Sequence, residues 1–101
     1  MDEYELTAIE VTRENVTTPL SFREGRIVVV TDLGTRFWYA DIEGIEPKEL
    51  LEALAASDNI RIALSAVTTD GRVLRGIGFM HPNVTRGSAA VRGDGELEGI
   101  G

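Results

Sequence analysis

The feature that most constrains this chain is the dipeptide Asp70-Gly71, set between two alternating runs that extend from Ile60 to His81. An Asp-Gly pair flanked by alternation is the strongest short-range sign of a β-hairpin, because a type I′ turn needs positive φ at both central positions. A two-residue loop there predicts that Ile62 faces Phe79, Leu64 faces Ile77 and Thr68 faces Val73 on one side of the ribbon. The other side then pairs Ala63 with Gly78 and Ser65 with Gly76, an almost bare strip between Arg61 and Arg72.

Other segments follow the same pattern. Residues 4–12 alternate with a change of phase between Ala8 and Ile9, which predicts a first strand carrying a bulge. A loop around Asn15 and Thr17 leads to Pro19, Leu20 and Phe22. Glu24-Gly25 is then expected to turn that short arm onto Arg26–Thr31. Pro19 cannot donate to a ladder, so the arm belongs at a sheet edge or a strand start. Leu33-Gly34 as a two-residue loop predicts Val30 opposite Phe37, Val28 opposite Tyr39 and Arg26 opposite Asp41, with Val29–Trp38 and Ile27–Ala40 on the second face. Both faces are apolar, so this hairpin is expected at the buried centre, covered on two sides.

One helix is expected, over about residues 47–57. Pro47 suits its first position, Glu46, Glu49 and Glu52 favour the positive end of the dipole, and Leu50, Leu51 and Leu54 form an apolar stripe. His81-Pro82-Asn83 is read as a loop and Ser88–Arg92 as a short strand, after which Gly93-Asp94-Gly95 turns into a tail that either completes the sheet or frays. The 101 residues suffice for one core and a single domain, 1–101. The fold class is mainly β (α+β): antiparallel hairpins curled into a small barrel or half-barrel with one helix. This element order, with its helix between the third or fourth strand and the last hairpin, resembles that of oligonucleotide-binding barrels and other small β-barrels. The likeness is one of topology and involves no sequence motif.

Charge narrows the partners. The formal net charge is −7, which disfavours general capture of nucleic acid or anionic membrane. It is uneven, however: residues 59–93 carry Arg61, Arg72, Arg75, Arg86 and Arg92 against Asp70 alone. No run is long or apolar enough for a bilayer, the acidic start does not resemble an export signal, and the lack of cysteine suits a reducing compartment, so a cytoplasmic protein is expected. The sequons at Asn15 and Asn83 and the Arg92-Gly93-Asp94 tripeptide are read as chance.

Candidate sites each have a plainer reading. Gly76 and Gly78 either permit a sharp bend or close helix approach, or floor a groove for an anionic or peptide ligand flanked by Arg61 and Arg72. His81, the only histidine, has no paired nucleophile or second ligand in the sequence and suits an ordinary turn as well as a base. Asp94, Glu96 and Glu98 suit a solvated, anti-aggregation edge better than a cation site. The Phe37-Trp38-Tyr39 run is expected in the core, and becomes a stacking platform only if exposed beside the arginines. No cofactor is expected. The first functional reading is a non-catalytic interaction module that binds a protein partner or itself. The alternative is a nucleic-acid accessory protein using Arg61, Arg72, Arg75, Arg86 and Arg92, and the least favoured is a small enzyme centred on His81.

Overall fold

A computed structural model describes residues 1–100. The elements run β1 (Asp2–Arg13), β2 (Val16–Leu20), β3 (Glu24–Asp32), β4 (Thr35–Glu43), α1 (Lys48–Ala55), β5 (Arg61–Thr68), β6 (Val73–Asn83) and β7 (Ser88–Gly93). Six strands close into an antiparallel barrel in the order β1-β3-β4-β7-β6-β5, with β5 returning to β1, and β2 lies outside as a seventh strand. Closure removes the free edges of the six barrel strands, and the one strand edge that remains belongs to β2.

β1 makes closure possible. Its register against β5 shifts between Leu6 and Ala8, so Thr7 and Ala8 both face solvent between buried Leu6 and Ile9. A bulge there bends and twists the strand. Asp2–Glu5 thereby pair with β3 while Leu6–Thr12 pair with β5.

The first hairpin differs from the expectation. Glu24-Gly25 is no turn but the start of β3, and β2 pairs with β1 instead. The reversal falls at Glu14-Asn15, whose φ values of 50° and 67° give both positive φ values of a primed two-residue turn. Pro19 does lie on the strand outside the barrel.

The β3–β4 hairpin has the expected register throughout, and Leu33 and Gly34 carry φ values of 49° and 82°. Its cover does not match. Ile27, Val29, Trp38 and Ala40 point into the barrel and are buried; on the other face Val28 is buried as expected and Val30 half-buried, but Phe37 and Tyr39 are exposed. The helix follows as expected, with Pro47 just before its first turn and Leu51 and Leu54 fully buried. It packs against β6, and its leucines join the core shared with Ile42, Ile45, Ile62 and Met80.

The β5–β6 hairpin reverses at Asp70-Gly71, but its register is one residue from the expected one. Ile62 stands opposite Gly78, Leu64 opposite Gly76, and Phe79 opposite Arg61. Only Gly71 (φ 87°) is left-handed; Asp70 is not. Thr68 sets this geometry. Its backbone N–H donates to the Arg72 carbonyl at 2.8 Å, its carbonyl accepts from Gly71 N–H at 3.0 Å, and its buried hydroxyl accepts from Arg72 N–H at 3.0 Å while donating to Asp70. The loop is thus three residues, a turn closed by a left-handed glycine, and the additional residue moves every side chain of one strand to the opposite face.

In consequence Gly76 and Gly78 face the barrel interior. A Cβ on Gly76 would lie 2.7 Å from Trp38 Cζ2, and one on Gly93 would lie 2.4 Å from Trp38 Nε1 and Cε2. The indole therefore lies across the bare backbone of β6 and β7. His81-Pro82-Asn83 belongs to β6 rather than to a loop. The tail neither frays nor adds a strand: Glu98 exchanges two backbone hydrogen bonds with Arg75 in one isolated bridge, and Leu97 enters the core.

Candidate functional site

With Trp38 committed to the interior, alternation forces Phe37 and Tyr39 outward. Antiparallel register then extends a row from them across the barrel: Tyr39 is opposite Arg92, Arg92 opposite Phe79, and Phe79 opposite Arg61. The Arg92 guanidinium carbon lies 5.1 Å from the Phe79 ring centroid and that of Arg61 lies 5.7 Å from it, so one half-buried ring serves two cations. Exposed cation–π contacts contribute about 0.5–1 kcal/mol each. Phe37 is 54% exposed, and Tyr39 and Ile77 37% each. Arg61 is also ion-paired to Asp94, whereas Arg92 makes no ion pair among the described residues. The strip is thus aromatic, partly desolvated and locally cationic.

Beside it, toward the helix end of the same strands, lies an open groove of about 720 Å³. Its floor is low because Ala90, on β7 between Asp41 and His81, has only a methyl group. Its walls carry Glu3, Glu5, Glu24, Asp41 and Glu43 against Arg26 and Arg86. Arg26 bridges Glu3 and Asp41 at 3.2 Å each, and these hydrogen-bonded carboxylates raise its pKa further above the usual arginine value. Arg86 pairs with Glu43 at 2.9 Å. Glu5 and Glu24 have no ion-pair partner among the described residues, so the groove is acidic.

The residues singled out in the sequence are distributed among five places. Arg61 and Arg92 meet on the strip. His81 and Arg86 line the groove. Arg72 sits at the β5–β6 turn, its guanidinium 5.7 Å from the Tyr4 ring, and Arg75 faces outward opposite Ser65 beside Glu96 and Glu98. Gly76 and Gly78 are turned away from all of these. The five arginines therefore form no single cationic surface.

Sequence reasoning missed Phe37, Tyr39 and Phe79 as surface residues. The signal was present in the Leu33-Gly34 register, which separates Trp38 from its two aromatic neighbours. Chemically, the strip offers π faces and two guanidinium groups, and the groove offers carboxylates with one imidazole. Among the described residues no three His, Cys, Asp or Glu side chains converge as metal ligands, and no helix is long and apolar enough to cross a membrane. No protein-family model matches the chain, and no curated protein or solved structure matches it.

Proposed function

We propose that this chain is a protein-interaction module whose contact surface is the strip of Phe37, Tyr39, Arg92, Phe79 and Arg61, and that it acts in the cytoplasm, where a chain without cysteine loses nothing. One observation carries the reading: aromatic and arginine side chains are concentrated on one exposed patch of an otherwise acidic protein. Aromatic residues and arginine are the types enriched at interface cores and at binding hot spots, where they combine large apolar contact with directional polar ends. Monomeric proteins seldom leave such side chains contiguous without a use for them.

A photo-crosslinking p-benzoylphenylalanine in place of Phe37 tests this in the cells that make the protein. The expected product is an adduct of discrete mass, formed with a second copy or with a different protein. The same probe in place of Val16, exposed on β2 outside the strip, gives none. Equal labelling at both positions, or no adduct at position 37, refutes the reading.

A second reading has one specific observation in its favour, the stacking of Phe79 with Arg61 and Arg92, an arrangement that also suits the bases and phosphates of a single strand. Fluorescence anisotropy with labelled DNA and RNA oligonucleotides decides it. Binding that falls steeply with salt supports it, and no binding at low salt removes it.

A further inference from the structure

Among the described residues Arg92 has no ion-pair partner, although it stands in the middle of the aromatic row, and that determines what can lie on the strip. We infer that the segment bound there is an apolar stretch of another protein carrying a single carboxylate, from aspartate or glutamate, that lands on Arg92. This deepens the interaction reading above and rests on it.

The surroundings of Arg92 are apolar. It stands in register between Tyr39 and Phe79, and exposed Phe37 and Ile77 lie two residues along the strands from those rings. Val28, opposite Tyr39, and Val30, opposite Phe37, continue the same outer face onto β3. The Arg92 guanidinium carbon lies 5.1 Å from the Phe79 centroid. Stacking of this kind uses the π face of a guanidinium and leaves its in-plane N–H donors free, the fork that a carboxylate accepts in two parallel hydrogen bonds. Asp94, two residues further along the chain, is already committed to Arg61. From Tyr39 to Arg61 the row crosses four strands, roughly 14 Å at the ordinary interstrand spacing, which an extended segment of about four or five residues spans.

Competing occupants satisfy less of this surface. A nucleic acid or an anionic membrane would meet Arg92 but would also set phosphates against Asp41, two residues from Tyr39 on β4, and against Asp94, just past the end of β7; like charges so placed disfavour the complex. A second copy docked strip to strip brings no free carboxylate, since Asp94 is held by Arg61 in each. A basic segment meets two guanidinium groups. One carboxylate set among apolar side chains answers Arg92 and covers the rings together.

Panning the purified chain against a phage-displayed library of random dodecamers reads this preference without a known partner. The expected peptides carry Asp or Glu flanked by Leu, Phe, Tyr or Trp. In fluorescence anisotropy Arg92→Glu weakens a selected peptide at least tenfold, whereas Arg75→Glu, exposed on β6 outside the strip, leaves its affinity within twofold. Replacing the peptide's acidic residue with lysine recovers binding to the Arg92→Glu variant. Both arginines are exposed, so the fold survives the changes, as thermal melting followed by circular dichroism verifies. Selected peptides without an acidic residue, the absence of any enriched peptide, an affinity that Arg92→Glu leaves unchanged, or equal weakening by both variants overturns the inference. The crosslinking probe at position 37 keeps the two proposals apart. An adduct with another protein beside selected peptides that lack an acid, or an adduct with a second copy alone, leaves the interaction face standing and the carboxylate-bearing partner wrong.

Discussion

Replacing Gly76 with alanine gives opposite signs for the two possible faces of β6. If Gly76 stood on an open strip, the added methyl would meet nothing, and loss of backbone freedom in the unfolded chain would stabilise the protein by about 0.5–1 kcal/mol. In the barrel the methyl falls 2.7 Å from Trp38 Cζ2 and 3.1 Å from Leu97 Cδ1, against an ordinary carbon–carbon contact of about 3.5–4 Å. The indole is 4% exposed and cannot swing into solvent without giving up its burial. Overpacking of this kind costs about 1–3 kcal/mol. Set against the backbone gain, Gly76→Ala is expected to destabilise by about 1–2 kcal/mol, lowering Tm by about 4–8 °C for each kcal/mol in a domain of this size. Urea denaturation followed by Trp38 fluorescence measures it, since Trp38 is the only tryptophan. The smaller ring of Trp38→Phe relieves the clash, so a double-mutant cycle read by circular dichroism gives a favourable coupling above about 0.5 kcal/mol. A stabilised Gly76→Ala variant with unchanged fluorescence refutes the inward placement of the glycines.

Two further outcomes follow from the turns. Leu33 is 99% exposed at a φ of 49°, a conformation that asparagine adopts at lower cost, so Leu33→Asn should raise the urea midpoint by the equivalent of about 0.5–1 kcal/mol. At the other hairpin the Thr68 hydroxyl, and then Arg72, hold the Asp70 carboxyl below its ordinary pKa. A carboxylate with a depressed folded pKa contributes stability that is fully present above the unfolded value near 4 and is lost as pH falls through the folded one. Wild-type stability should therefore decline in acid more steeply than that of Asp70→Asn. Thr68→Val should move the Asp70 titration, followed by NMR, back toward the ordinary carboxylate range.

How far the sequence reaches is visible in the two main hairpins. At Leu33-Gly34 the turn is a pure backbone requirement, two positive φ values in succession, and the register read from it holds for every pair. At Asp70-Gly71 the same reasoning fails by one residue, because a threonine side chain outside the dipeptide captures the Arg72 N–H and lengthens the loop. The reversal was legible there, but the geometry of a hydroxyl against one backbone amide was not. The glycine strip went with that register, and the aromatic strip emerged in its place.

The sequence alone determined the reversals at Leu33-Gly34 and Asp70-Gly71, that its segments are antiparallel strands with one helix, and that β1 is interrupted near Ala8. These follow from local φ demands and from alternation, which act over a few residues. Alternation is symmetric, however: it says that Trp38 and its neighbours face opposite ways, not which of them is inside. Only closure of the barrel decided that, because a six-stranded interior has room for an indole where Gly76 and Gly93 leave the wall bare. Filling that space with Trp38 is what left Phe37, Tyr39 and Phe79 on the surface beside two arginines.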